Sequence, residues 1–191
     1  ETSEADAPPR YARELDRLHD IADVLTTFRS GKSDEKGPRD LNHTVETLAR
    51  HLAGRGRGKG VRVLFEVDQE PCRADFAQER FTRLLEDLVT NAVEVSRRGQ
   101  RVWVRSRHEP ERCRVSVTDE GSGIRDDHLA RIFTPFFTTK PDGHGLALAA
   151  ARKYLREIGG DILVENVPDK GARFTILIPR EDVKGLLKGS E

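Results

Sequence analysis

The chain has 191 residues, enough for one ordinary domain with an apolar core and a small appendage, and too few for two full-sized domains. Charged residues make up 35%, and the 33 Lys plus Arg cancel the 33 Asp plus Glu, so no global field favours nucleic acid or anionic lipid. The longest apolar run, Leu146 to Ala151, is far below the roughly 20 residues that span a bilayer, so no membrane contact and no direct nucleic-acid contact are expected.

Residues 10–29 place Leu15, Leu18, Ile21, Ala22, Leu25 and Phe28 at helical spacing, an apolar stripe that needs a partner. SGKSDEKGP (30–38) reads as a linker, which divides the chain into 1–37, a main domain over 38–183 and a tail over 184–191. Asp40 can cap a helix whose face is Leu41, Val45, Leu48 and Leu52, and the run GRGRGKG (54–60) ends it. VRVLFEVD (61–68) alternates Val61, Val63, Phe65 and Val67 and predicts a half-buried strand. Asp75 is expected to open a longer helix carrying Phe81, Leu84, Leu85, Leu88, Ala92 and Val95. RVWVRSR and RCRVSVTD, joined by HEPE, predict an antiparallel hairpin. A helix over 146–157 and the strands DILVEN and ARFTILIP, around the turn PDKG, complete the order. The fold class is α+β, with helices on one face of a mostly antiparallel sheet.

Cys72 and Cys113 lack CxxC or zinc-finger spacing, which argues against a disulfide scaffold and predicts two small buried thiols in a reducing compartment. The chain contains no methionine and begins at Glu1, so the expectation is that it is processed or cut from something longer.

Chemistry concentrates at three places. In LLEDLVTNAVEV, Asp87, Asn91 and Glu94 fall at i, i+4 and i+7 on one helical stripe. Such a stripe is often a solvated face, yet a neutral oxygen beside a carboxylate suits hydrated magnesium that also touches phosphate. Asp119, in DEGSGI, stands at a strand end before two glycines. There the backbone can approach a flat ligand while the carboxylate accepts from an exocyclic amine such as that of adenine. Gly143-His144-Gly145-Leu146 opens a helix, whose N-H groups cradle phosphate oxygens, and Lys140 just upstream adds a positive charge.

With all three in order, the chain resembles the ATP-binding catalytic domain of sensor histidine kinases, within the gyrase, Hsp90, histidine kinase and MutL ATPase superfamily. The resemblance covers about residues 38–180: EDLVTNAVEV is similar to the N box, DEGSGI to the first glycine box, IFTPFFTTK to the F box, GHGLALA to the second glycine box and GARFTILIP to the closing strand. It implies the two-layer Bergerat ATP-binding fold, Mg2+ on Asn91 with Asp87, and adenine on Asp119. It also implies a nucleotide site built from Glu94, Gly121, Gly123, Ile124, Thr139, Lys140, Gly143, His144, Gly145 and Leu146, with Phe133, Phe136 and Phe137 anchoring the lid.

The short lid between Thr138 and Gly143 resembles that of nitrogen-regulation-type kinases. By the same resemblance the N-terminal helix is the second helix of a dimerisation and phosphotransfer hairpin in a cytoplasmic, homodimeric assembly whose parent can be membrane-anchored. The phosphoryl group would pass to a histidine outside this chain and then to a response regulator aspartate. His19 has an acidic neighbour but lacks the downstream pattern of an acceptor.

Two departures keep alternatives open. Asp87 stands where many of these kinases have Asn, and as a general base it would support hydrolysis, making the chain a superfamily ATPase. Ala147 replaces a usual glycine and could weaken nucleotide binding, leaving a non-enzymatic adaptor.

Overall fold

The computed structural model describes residues 36–183 apart from Asp142 and Asp169. The expected helix over 10–29, His19 and the tail over 184–191 lie outside the described residues.

The elements in order are β1 (Gly37–Asp40), α1 (Leu41–Leu52), β2 (Arg62–Glu66), β3 (Arg73–Phe76), α2 (Gln78–Val95), β4 (Arg101–His108), β5 (Arg112–Asp119), a single turn α3 (Asp126–Leu129), α4 (Ala147–Glu157), β6 (Asp161–Asn166) and β7 (Ala172–Pro179). Five strands form the main sheet in the order β2-β4-β5-β7-β6, and β1 pairs separately with β3. Only β2 and β4 run parallel, because the chain between them crosses the sheet as α2. The β4–β5 and β6–β7 hairpins are antiparallel, as the alternating sequences predict.

The core lies between this sheet and the helices. Val102, Val104, Val115, Val117, Ile162, Ile176 and Ile178 point inward from the strands, and Phe81, Leu84, Leu85, Leu88 and Val89 meet them from α2. Asp40 caps α1 through an Asn42 N-H donating to its Oδ1 at 3.0 Å, and Leu41, Val45 and Leu52 are fully buried. α2 has no side-chain cap. Instead, Tyr154 of α4 grips Ala77 just before it, accepting from its N-H at 2.8 Å and donating to its carbonyl at 3.2 Å.

Two expectations need correction. Asp75 does not open the long helix: it sits in β3 opposite Pro38 of β1, and the helix begins at Gln78. The ladder holds Asp75 extended, and no local signal announces a four-residue pairing with a segment so far upstream. The cysteines are not free thiols. Cys72 and Cys113 are both fully buried and form a disulfide, with Cα atoms 5.7 Å apart. Their spacing in sequence, 41 residues, carries no information about this, because strand pairing brings the loop before β3 onto the start of β5.

Candidate nucleotide site

A cleft of about 460 Å³ opens between α2, the end of β5, the loop over 132–146 and the start of α4. Leu84, Ala92, Val95, Ile132, Phe137 and Phe174 give it apolar walls, and Asp119 lies in its floor.

Asp119 ends β5 and is only 3% exposed. Its Oδ1 accepts from the Gly121 N-H at 2.8 Å and from the Ala172 N-H at 3.3 Å, which leaves Oδ2 for a ligand in the cleft. Burial pushes the Asp119 carboxyl above its usual range, against the pull of those two N-H groups. The backbone crowds closely around it. A β-carbon on Gly171 would come within 1.8 Å of Asp119 Oδ1, and one on Gly121 within 2.9 Å. Neighbouring Glu120 is clamped by Arg101, whose Nε donates at 2.9 Å, so the loop leaving β5 is held at both acids.

At the other end of the cleft, Asp87 and Asn91 project from successive turns of α2 into the wall. Burial pushes the Asp87 carboxyl upward, and the charge of Glu86 adds to this, while Arg83, Lys140 and Arg55 oppose it. Lys140 reaches from the lid onto α2: its ammonium donates to Asn91 Oδ1 at 2.5 Å and pairs with the Glu94 carboxylate.

The glycine-rich run over 143–146 is tightly folded. Gly145 has φ +64°, and a β-carbon there would meet the Phe137 carbonyl oxygen at 2.5 Å. α4 starts at Ala147 without a side-chain cap, so its first-turn N-H groups lack intrahelical partners at the cleft wall.

The structure thus gathers Asp87, Asn91, Asp119, Gly123, Ile124, Phe137, Thr139, Lys140, Gly143, His144, Gly145 and Leu146 around one cleft. Gly121, Glu94 and Phe133 do not line it. Gly121 shapes the Asp119 loop, Glu94 acts on Lys140, and Phe133 packs toward the core under the Arg152 guanidinium at 4.7 Å. Ala147 lines the cleft as the first residue of α4.

Sequence reading missed Gly171 and Asn166. Asn166 accepts from the Ile124 N-H at 2.8 Å and donates to its carbonyl at 2.6 Å, fastening the glycine loop. The glycine opening GARFT was the available signal for Gly171; nothing local marks Asn166. Arg80 and Arg83, two cations of α2 in the cleft wall, were also missed.

An apolar cleft with a buried carboxylate at one end and uncapped helical N-H groups at the other is built for a flat polar base joined to an anion. The chain belongs to the family of histidine kinase-, DNA gyrase B- and HSP90-like ATPases, whose model matches residues 77–182. Within it, the chain is a homologue of sensor histidine kinases. It is 31% identical to sensor histidine kinase ZraS of Salmonella typhi over 169 residues, covering 88% of this chain and 36% of that protein. The chain therefore spans about a third of the length of such curated relatives.

Among solved structures, the nucleotide-free catalytic domain of histidine kinase ThkA superposes with a TM-score of 0.69 at 31% identity, over 76% of this chain and 96% of that one. ThkA in complex with the response regulator protein TrrA gives 0.73 at 27% identity, over 94% and 53%. Full-length ShkA in complex with AMPPNP gives 0.74 at 25% identity, over 87% and 35%. The two-layer α+β architecture is that of the histidine kinase ATPase domain. Among the described residues no helix is long and apolar enough to cross a membrane.

Proposed function

We propose that this chain is the catalytic module of a two-component sensor kinase, with residues 38–183 binding Mg-ATP and residues 1–37 belonging to a dimerisation and phosphotransfer hairpin. The observation that carries this reading is the single cleft that joins Asp119, Asn91 and the Gly143–Leu146 cradle. Asp119 Oδ2 accepts from the adenine amine, and the uncapped N-H groups of α4 with Lys140 hold the phosphates. The donor set fits a cation: Asn91 Oδ1 and the Glu94 carboxylate already converge on the Lys140 ammonium. Asn91, with Asp87, would hold Mg2+, which supplies charge neutralisation at the phosphates when bound.

In the transfer, an imidazole nitrogen of a histidine outside this chain forms a bond to the γ-phosphorus. The bond from that phosphorus to the bridging oxygen breaks, its electron pair leaves with ADP, and the imidazole's N-H proton passes to solvent. This chain contributes position and electrostatics rather than a nucleophile. A response regulator aspartate receives the phosphoryl group next; the ThkA complex with TrrA supports that partner. The reading places the module in the cytoplasm and its parent in a homodimer.

The test supplies γ-labelled ATP and magnesium, with the parent protein's upstream segment present or absent, and Asp119→Asn as binding control. Label entering the upstream segment supports the reading. No bound nucleotide and no product overturns it and leaves an adaptor.

One observation favours a second reading. The half-buried Asp87 carboxyl, pushed upward by burial, lines the cleft one turn from Asn91, which supports a role as general base for water. Free phosphate without protein labelling, lost in Asp87→Asn while ATP still binds, would establish a hydrolytic ATPase.

A further inference from the structure

Lys140 stands on a short loop whose backbone is closed on itself. The Phe136 N-H donates to the Gly145 carbonyl at 2.9 Å and joins the two feet of the loop, while the Lys140 N-H donates to Thr138 Oγ1 at 3.1 Å and the Gly143 N-H to the Lys140 carbonyl at 3.2 Å. Phe136 itself does not join Phe133 and Phe137 in anchoring the lid: it is 74% exposed with φ +67° and does not line the cleft. These bonds shape the loop, and the Lys140 side chain carries it across the cleft mouth to α2.

The ammonium ends on two oxygens of α2 that lie three residues apart on one face, Asn91 Oδ1 at 2.5 Å and the Glu94 carboxylate. One donor is neutral and one is charged, and the same ammonium is felt by Asp87 one turn earlier. Hard oxygen donors of this kind suit a hydrated divalent cation. They equally suit the compact point charge of a lysine, which brings its cation on a flexible stem. Two cations do not share the same oxygens, so the ammonium and Mg2+ are alternative occupants of one set of atoms.

We infer that Lys140 is a tethered stand-in for the divalent cation: before nucleotide binds, its ammonium holds Asn91 and Glu94, and Mg2+ arriving with ATP displaces it and frees it for the phosphates. This rests on the nucleotide-site reading above. The balance of strengths permits the exchange. The Lys140 and Glu94 side chains are 47% and 49% exposed, and ion pairs in that much water hold weakly, so the ammonium yields to a double charge. The distance to be covered is short as well, because Thr138, Thr139 and Lys140 all line the cleft and the side chain can swing without the loop unfolding. Metal and nucleotide then reinforce each other's binding: the metal replaces Lys140 on α2, and the phosphates give Lys140 a new anion.

The experiment uses the full chain without nucleotide and takes Mn2+ as the probe, with its binding followed by the relaxation of water protons. Lys140→Met binds Mn2+ about three- to tenfold more tightly than wild type, because the site no longer has to shed an internal cation, and adding Glu94→Gln abolishes the gain. A second measurement uses wild type alone and so does not depend on the folding of any variant: the rate at which an amine reagent acylates Lys140, read by peptide mass. Mn2+ speeds that acylation several-fold in wild type, whereas Glu94→Gln reacts at the faster rate with or without metal. Equal Mn2+ affinity in wild type and Lys140→Met, or acylation of Lys140 indifferent to Mn2+, overturns the exchange. ATP titrations with and without Mg2+, in wild type and Asn91→Ala, separate the two levels of the account. ATP binding that needs neither Mg2+ nor Asn91 overturns the metal site and this proposal with it, and ATP binding that needs both, beside an unchanged Mn2+ affinity, overturns the exchange alone.

Discussion

Gly171 presses its α-carbon so closely against the carboxylate of Asp119 that a methyl group there would lie 1.8 Å from Oδ1. No rotamer of a larger residue relieves this, because the same position would also meet the Gly121 N at 2.7 Å. Gly171→Ala is therefore expected to displace the carboxylate and weaken ATP binding by at least about tenfold, or about 1.4 kcal/mol, at a stability cost of about 1–3 kcal/mol. Calorimetric titration with ATP checks the first figure and chemical denaturation the second.

The bridge from Lys140 to Asn91 and Glu94 ties the lid to α2 across the cleft mouth. Both charged partners are about half exposed, and pairs of that kind contribute about 0–1 kcal/mol. Lys140→Ala should leave the melting point nearly unchanged while cleavage of the 138–143 loop by a protease becomes several-fold faster. Equal cleavage rates would show that the lid is held by its own turn hydrogen bonds.

Burial of Asp119 makes a pH prediction whose sign is fixed. The folded carboxyl holds its proton more tightly than the unfolded one, so the native state binds more protons between 3.8 and the raised folded value. Stability from this group is complete below that window, falls as pH rises through it, and stays lost above. Asp119→Asn retains an oxygen for the Gly121 and Ala172 N-H groups and carries no charge. It should therefore melt higher than wild type at neutral pH, and that advantage should vanish on acidification below 3.8. A constant difference across pH would contradict the assignment.

The parts of this molecule legible in the sequence are those specified by local pattern. Alternating Val102, Val104, Val115 and Val117 announce their hairpin, and Asp87 and Asn91 fall on one stripe because a helix has a fixed period. Asp119 could be singled out only in company: a carboxylate between a strand and two glycines is by itself a plain loop, and it gains meaning from the stripe before it and the glycine-rich helix start after it, in that order. What stayed hidden depends on contacts distant in sequence. The β1–β3 pairing, the Cys72–Cys113 bond, the Asn166 clasp on Ile124 and the outward turn of Phe136 are each set by a segment that arrives from elsewhere.

The disulfide joins the loop that supports α1 to the start of β5. Cys72 donates its N-H to Asp40 Oδ1 at 3.2 Å and accepts from the Leu41 N-H at 2.9 Å. Reduction, or the double replacement Cys72→Ser with Cys113→Ser, should lower stability by about 2–4 kcal/mol. Cys113 and Asp119 stand at opposite ends of β5, roughly 20 Å apart at the rise of a strand, so ATP affinity should be unchanged. Thiol titration of the denatured protein before and after reduction, beside denaturation curves, measures both. Free thiols in the unreduced protein would refute the bond.

Recognition of an adenine nucleotide through Asp119 is checked by titrating wild type and Asp119→Asn with ATP and with GTP in the presence of magnesium. Guanine presents a carbonyl oxygen where adenine presents its amine, so a carboxylate there repels it. Wild type should bind ATP more tightly than GTP by at least about a hundredfold, and Asp119→Asn should lose most of the ATP affinity. Equal affinity for the two nucleotides, or ATP binding untouched by Asp119→Asn, would contradict it.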